Sequence, residues 1–157
     1  MKLDKIKDAI LIWGPILSDS LSLLKDEKKL VIVPENRPYL IGLLYNAPLL
    51  KRQRINFVYC TDNMLGFLFY KNKIKKTIIF YQKLTKKGII CISGSLHVVL
   101  LSKLHSVPIE IMPQENLNIK FLDSSAISLS GKRFVLKKDI KFFKPPKEEL
   151  ISYSLLR

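Results

Sequence analysis

Leu30-Val31-Ile32-Val33 is an unbroken apolar run, mostly β-branched and closed by Pro34. A strand of this kind offers no polar face to water, so both of its faces must be covered, as happens inside parallel sheets. Ile55 to Cys60, Lys76 to Phe80 and Pro108 to Met112 read as further strands. Gly88 to Ile92 reads either as a strand or as an inward-facing connection. Helical spacing separates these runs. Leu40, Leu43, Leu44 and Ala47 share a helical stripe between Pro38 and Leu50. Thr61-Asp62-Asn63 supplies cap residues for a helix carrying Met64, Leu65, Phe67, Leu68 and Phe69. Gly94-Ser95 opens another, with Leu96, Val99, Leu100 and Leu104 along one side. Short strands alternating with helices imply right-handed βαβ units and a parallel sheet with helices on both faces, an α/β fold.

The two ends are read differently. Ala9 to Trp13 is apolar but broken at Gly14-Pro15, which predicts a short N-terminal helical segment over 1–28 ahead of the sheet domain over 29–157. That stretch is far shorter than the roughly 20 apolar residues of a membrane span. Asp4 and Asp8 interrupt Lys2, Lys5 and Lys7, so it does not read as a signal peptide, and the expected location is cytoplasmic, with no membrane partner. Toward the other end, Phe134-Val135-Leu136 reads as an edge strand, Pro145-Pro146 as extended chain, and Glu148 to Ile151 as a helical turn.

At 157 residues and 48% apolar, the chain suits one domain and is too apolar to be mainly disordered. Cys60 and Cys91 both sit in apolar runs, which points to reduced core residues rather than a disulfide framework. The formal charge of +14, mostly lysine, attracts polyanions, phosphorylated ligands or anionic surfaces.

A ligand on an open parallel sheet sits beyond the carboxyl ends of the strands. The residues gathered there are Arg37, Thr61, Asp62, Asn63, Gln82, Lys83, Gly94 and Ser95. Two helix starts and one arginine suit a phosphate group. Each residue also has a structural role open to it: Thr61 and Ser95 as caps, Asp62 as a helix-start carboxylate, and Arg37 as a partner of Glu35. His97 and His105 lie eight apart with no third ligand, so neither a metal nor a cofactor is expected. No HExxH, P-loop, GxGxxG or nucleophile-elbow pattern occurs. Lysine-rich segments, among them Lys51 to Arg54 and Lys132 to Lys147 with its interleaved phenylalanines, keep nucleic-acid binding open as a weaker alternative.

In order along the chain, several segments resemble one family, the methylthioribose-1-phosphate isomerases and the regulatory subunits of eukaryotic translation initiation factor 2B. Glu35 to Gly42 is similar to that family's E-[ST]-R-P-x-x-x-G segment, and Thr61-Asp62-Asn63 to its strand-end T-D-N/S element. Lys73 to Leu84 occupies the place of the stretch ending G-A-D-R-I, and Gly88 to Ser95 resembles G-x-I-x-N-K-x-G-T. Ser106 to Ile111 and Lys144 to Ile151 resemble the remaining strand and the closing P-P-e-x-I. The resemblance implies a Rossmann-like domain that binds a phosphorylated sugar or nucleotide and forms a homodimer. It also implies lost chemistry. The family's catalytic aspartate falls on Gln82, whose amide cannot transfer a proton near neutral pH. The substrate-contacting glutamine becomes Ile41, the N-K pair becomes Cys91 and Ile92, and Phe80 and Tyr81 replace Gly and Ala. Nothing before Lys29 is long enough to supply the family's catalytic cysteine. The expectation is a shortened, non-catalytic binding or assembly module. An enzyme of altered chemistry built on Arg37, Asp62 and Lys83, or a basic nucleic-acid-associated protein, stands as the alternative.

Overall fold

The computed structural model describes residues 3–26, 28–117, 126–129, 132–135 and 146–157. Its centre is a mixed, mostly parallel sheet of seven strands. Ala9–Trp13 (β1), Val31–Pro34 (β2), Phe57–Cys60 (β3), Ile74–Leu84 (β4), Gly88–Ile92 (β5) and Ile109–Pro113 (β6) belong to it, as does Glu148–Ser152 (β9). Ala126–Leu129 (β7) and Lys132–Val135 (β8) pair only with each other. The main order is β3-β2-β1-β4-β5-β9, with β6 also on β4. Pairs β3–β2, β2–β1, β1–β4 and β4–β6 are parallel, whereas β5 runs antiparallel to both β4 and β9. The sheet is therefore mixed and not the parallel one expected: the short turn from β4 to β5 joins them as a hairpin with no helix between.

The helices are Leu21–Asp26 (α1), Ala47–Arg52 (α2), Leu65–Tyr70 (α3), Ser95–Leu104 (α4) and Tyr153–Leu156 (α5). They cover both faces of the sheet. On one side Leu11, Trp13, Ile32 and Ile79 pack with Leu65, Leu68, Phe69, Val98 and Val99. On the other, Ile10, Ile12, Val31, Val33, Ile78 and Phe80 pack with Leu21, Leu24, Leu49 and Leu50.

Four readings need correction. There is no N-terminal helical segment: Ala9 to Trp13 is β1, a strand at the centre of the sheet, every residue of it buried. Five apolar residues in succession are ambiguous between helix and strand, and pairing with β2 and β4 decides for the strand. Glu148 to Ile151 is likewise strand rather than helical turn, because β5 offers it a free edge to pair with. Phe134 and Val135 do lie in a strand, β8, but it pairs with β7 and not with an edge of the main sheet; Leu136 and Pro145 lie outside the described residues. Finally, the helix expected from Pro38 to Leu50 begins as a π-helical turn at Gly42–Asn46 before α2, and it turns Leu43 and Leu44 outward while Ile41, Asn46, Leu49 and Leu50 go in.

Gly42 explains the turn. Its α-carbon rests on the end of β2, where an added Cβ would overlap the carbonyl oxygen of Pro34. Gly42→Ala is therefore expected to cost about 3 kcal/mol or more, as other overpacked, backbone-blocked sites do. Gly66, inside α3 with nothing near its missing Cβ, is the control. Gly66→Ala should stabilise by about 0.5–1 kcal/mol, since alanine loses less freedom in a helix. Urea denaturation of both variants checks the pair, and equal midpoints would remove the close-approach argument.

Candidate functional site

The parallel strands deliver Trp13, Pro34, Cys60 and Pro113 to one edge of the sheet, and α4 starts at that same level. Gly94 marks the level: its φ is +86°, and an added Cβ there would lie 2.5 Å from the Trp13 ring. The tryptophan is almost fully buried and fills the space between the end of β1 and the start of α4.

Two carboxylates organise this edge. Asp62 accepts the backbone N–H of Asn36 at 2.9 Å on Oδ1 and that of Arg37 at 2.8 Å on Oδ2. It thereby ties the loop after β2 to the loop after β3. Glu149, on β9, accepts the N–H of Gly94 at 2.8 Å and that of Leu96 at 2.8 Å. These are the free donors of the α4 N-terminus, the groups to which a phosphate would bind. A side-chain anion already sits on them.

The other expected residues are placed as follows. Arg37 donates from Nε to Glu35 Oε2 at 2.9 Å, the structural pairing open to it in the sequence. Thr61 precedes a short helical turn but makes no cap with its side chain, and its hydroxyl bonds the side-chain oxygen of Asn63. Ser95 is fully buried and donates to the carbonyl of Ile92 at 2.7 Å. Gln82 and Lys83 are exposed, on the part of β4 that continues past the parallel sheet to pair with β5, where the register shifts between Tyr81 and Lys83. The structure thus brings Arg37, Asp62, Gly94 and Ser95 to the edge as parts of its own bonding, and leaves Gln82 and Lys83 on a projecting hairpin.

Sequence reasoning passed over Glu149, Trp13 and Asn36. Asn36 is fully buried, and neither end of its amide has a protein partner; Trp13 Nε1 and Gln114 Oε1 are also buried and unpaired. The only sequence signal for Glu149 was its place next to the paired prolines.

The electrostatics disfavour a reactive thiol. Burial, reinforced by the Asp62 and Glu35 carboxylates, pushes the Cys60 thiol up to about 12. Burial, with Glu149 adding to it, does the same to Cys91. Burial also raises the Tyr59 hydroxyl, which lies against Glu35, and raises Asp62 above the usual carboxylate range despite its two backbone donors. β1 ends in Trp13-Gly14-Pro15, so the first strand contributes no nucleophile. His105 stacks on Phe69 at 5.8 Å, and among the described residues no three His, Cys, Asp or Glu side chains gather as metal ligands. No helix among the described residues is long and apolar enough to cross a membrane.

On the outer side of α3 and α4 the apolar stripes point to solvent. Leu96, Leu100 and Leu104 recur every four residues and are exposed, Leu104 to 77%. Met64, Phe67 and Tyr70 do the same at intervals of three, on the neighbouring helix. Of the expected stripe Leu96, Val99, Leu100 and Leu104, only Val99 is buried, together with Val98 and Ser102; the three leucines face outward.

Residues 17–121 match the model of the initiation factor 2 subunit family, IF-2B. The chain belongs to this family. It is 28% identical over 120 residues to methylthioribose-1-phosphate isomerase 1 of Pseudothermotoga lettingae, covering 74% of this chain and 35% of that protein. It is 28% identical over the same span to the methylthioribose-1-phosphate isomerase of a Sulfurihydrogenibium strain. The chain thus spans about a third of the length of the curated relatives it matches. Among solved structures it superposes on translation initiation factor eIF-2B subunit delta from A. fulgidus with a TM-score of 0.74, at 19% identity, over 95% of this chain and 50% of that one. The 5-methylthioribose 1-phosphate isomerase of Pyrococcus horikoshii OT3 gives 0.73 at 15% identity, over 98% and 49%. These likenesses establish the shared fold.

Two outcomes follow from the buried groups. Because Asp62 holds its proton more tightly folded than unfolded, its contribution to stability falls as pH rises through the carboxylate range. Urea denaturation should show the difference between Asp62→Asn and the parent moving in the variant's favour from pH 3 to pH 7, and a pH-independent difference would refute the burial argument. Native Cys60 and Cys91 should both resist iodoacetamide at pH 8 and react only after unfolding, because only the thiolate attacks. Rapid labelling of Cys60 in the folded protein would contradict its placement.

Proposed function

We propose that this chain is a non-catalytic member of its family, an assembly subunit of the initiation-factor 2B type rather than an isomerase. The observation that carries the reading is Glu149 on the N–H groups of Gly94 and Leu96. The one described helix N-terminus at the carboxyl edge with the length to hold a phosphate already has an anion, supplied by the chain itself. A phosphate would have to displace it, against the like charge of Glu149 itself.

The chemistry of the edge agrees. Proton transfer on a sugar needs a group able to gain and lose a proton near neutral pH. Gln82 is an exposed amide, both thiols are held protonated, and Asp62 is committed to two backbone donors. What the molecule offers outward is a set of exposed apolar side chains on α3 and α4, among them Phe67, Tyr70, Leu96, Leu100 and Leu104. The occupant we assign to it is a second copy of the chain, forming a two-fold dimer with Leu100 and Phe67 near its centre.

A second reading rests on one observation, the unpaired amide of buried Asn36, a residue of the loop after β2 at the carboxyl edge; Trp13 Nε1, at the end of β1, is also buried and unpaired. A small polar molecule, a phosphorylated sugar or nucleotide among them, would satisfy these groups at the edge formed with Arg37, Thr61, Asp62, Asn63, Gly94 and Ser95.

Light scattering and thermal scans separate the two. The expected result is a dimer at 10 µM or so, converted to monomer by Leu100→Lys with Leu104→Lys at unchanged circular dichroism. Added 5-methylthioribose 1-phosphate should be neither converted nor stabilising. A parent that is monomeric, or any turnover, defeats the assembly reading. A rise in melting temperature that grows with ligand concentration as mass action requires, and that is lost in Asn36→Ala, would install the second reading.

A further inference from the structure

The carboxyl edge is closed by carboxylates, but the opposite edge is open and positive. A cleft of about 200 Å³ lies at the amino ends of β2 and β3, lined by Leu24, Lys25, Lys28, Lys29, Arg54, Ile55 and Asn56. Leu24 and Ile55 are buried and form an apolar base, while the four cationic residues are exposed around it. The chain brings them together from two separate connections: α1 and the approach to β2 on one side, the turn from α2 into β3 on the other. Lys25 donates to Gln53 Oε1 at 2.9 Å, which fixes one lysine across the gap and leaves it two further N–H donors. Lys51 and Arg52, exposed on the last turn of α2, continue the positive surface. In sequence the acidic residues Asp26, at the end of α1, and Glu27 stand between Lys25 and Lys28.

Cations near helix C-termini have a structural use, since they offset the helix dipole. Of the four cations that line the opening only Lys25 lies within a helix, and the dipoles of two six-residue helices do not account for so many. The lining also excludes a compact small-molecule site. Every polar or charged side chain there is exposed, so no buried polar group fixes a ligand's orientation, as specific pockets require. It contains no aromatic ring on which a base would stack. What suits it is a flexible polyanion with regularly spaced charges, held by its charges alone.

We propose that this amino-edge cleft binds the phosphate backbone of a single nucleic-acid strand, without reading its sequence. One phosphate sits between Lys28 and Arg54, and neighbouring phosphates run toward Lys25 on one side and Arg52 on the other. The surface is distinct from both α3–α4 and the carboxyl edge, so the proposal stands or falls independently of the assembly reading.

The test is fluorescence anisotropy of a labelled 12-residue oligouridylate against the full chain from 50 to 300 mM salt. About four phosphate contacts to a single strand give a logarithmic salt slope near −3. Lys28→Glu with Arg54→Glu should weaken binding at least tenfold at 50 mM salt and flatten the slope by about 1.4, two contacts' worth. Lys86→Glu with Lys87→Glu, an exposed basic pair on the β4–β5 turn, should change affinity less than twofold. The milder Lys28→Gln with Arg54→Gln keeps the comparison available if charge reversal unfolds the chain, and should still weaken binding several-fold. Absence of binding at 50 mM salt would overturn the proposal. So would equal losses in the cleft and control variants, which would mark an effect of net charge. Thermal stabilisation by inorganic phosphate without oligonucleotide binding would also overturn it, in favour of a small-anion pocket.

Discussion

The pairing of β1 with β4 is the constraint on which the rest is arranged. All five residues of β1 are buried, and in parallel register Ile10 to Trp13 meet Lys76 to Ile79. Successive side chains of the pair point alternately into the two helix layers, so each apolar core is built outward from the same two strands. A strand with no solvent face must have a sheet on each side and helices on both faces. β4 then does something its neighbours do not. Its first part holds β1 and β6 in parallel, Tyr81 pairs with both Pro113 of β6 and Cys91 of β5, and the part beyond it pairs with β5 alone in the opposite sense. That switch carries Gln82 and Lys83 away from the carboxyl edge and gives β9 an edge on which to dock.

β9 in turn closes the site. Pairing with β5 sets Ile151 in the core and places Glu149 two residues earlier on the same strand. From there its carboxylate reaches the start of α4. The same device recurs with Asp62 across the ends of β2 and β3. Free backbone donors at the carboxyl ends of parallel strands normally make such an edge a place for anionic ligands. Here two side-chain anions satisfy four of those donors. Both are held by charge-assisted bonds of ordinary length, and neither is free to shuttle a proton without giving them up.

Most of the fold was legible in the sequence, because β-branched runs such as Leu30 to Val33 and helix starts such as Thr61-Asp62-Asn63 are local signals. β1 was not. Five apolar residues between Asp8 and Gly14-Pro15 fit a kinked helix as well as a buried strand, and only its partners, 18 or more residues away, decide the matter. Glu148 to Ser152 failed for the same reason: an isolated segment with two glutamates has no strand signal until β5 supplies hydrogen bonds. The facing of α4 was lost to a subtler effect. Leu96, Leu100 and Leu104 and the set Val98, Val99 and Ser102 both follow helical spacing, and the smaller set fits against the closely packed sheet. At the site, Arg37 with Glu35 was foreseen as a pair, whereas the Glu149 contact joins residues 55 apart in sequence and left no local trace.

The distribution of charge follows from this plan. A chain with twice as many cations as carboxylates has few anions to spare, and it places Asp62 and Glu149 where backbone donors would otherwise be unsatisfied. Carboxylates drawn to the carboxyl edge make that edge less positive than composition alone implies. The amino edge, where the helices end and their dipoles favour cations, collects Lys25, Lys28, Lys29 and Arg54 instead. One sheet therefore separates two electrostatic environments. A phosphate approaching the edge at which its fold usually binds ligands meets carboxylates, while the other edge presents positive charge around an open cleft. The edge at which such sheets bind ligands and the edge whose cleft is lined by exposed cations thus lie at opposite ends of the strands, and the positions of the carboxylates set the difference between them.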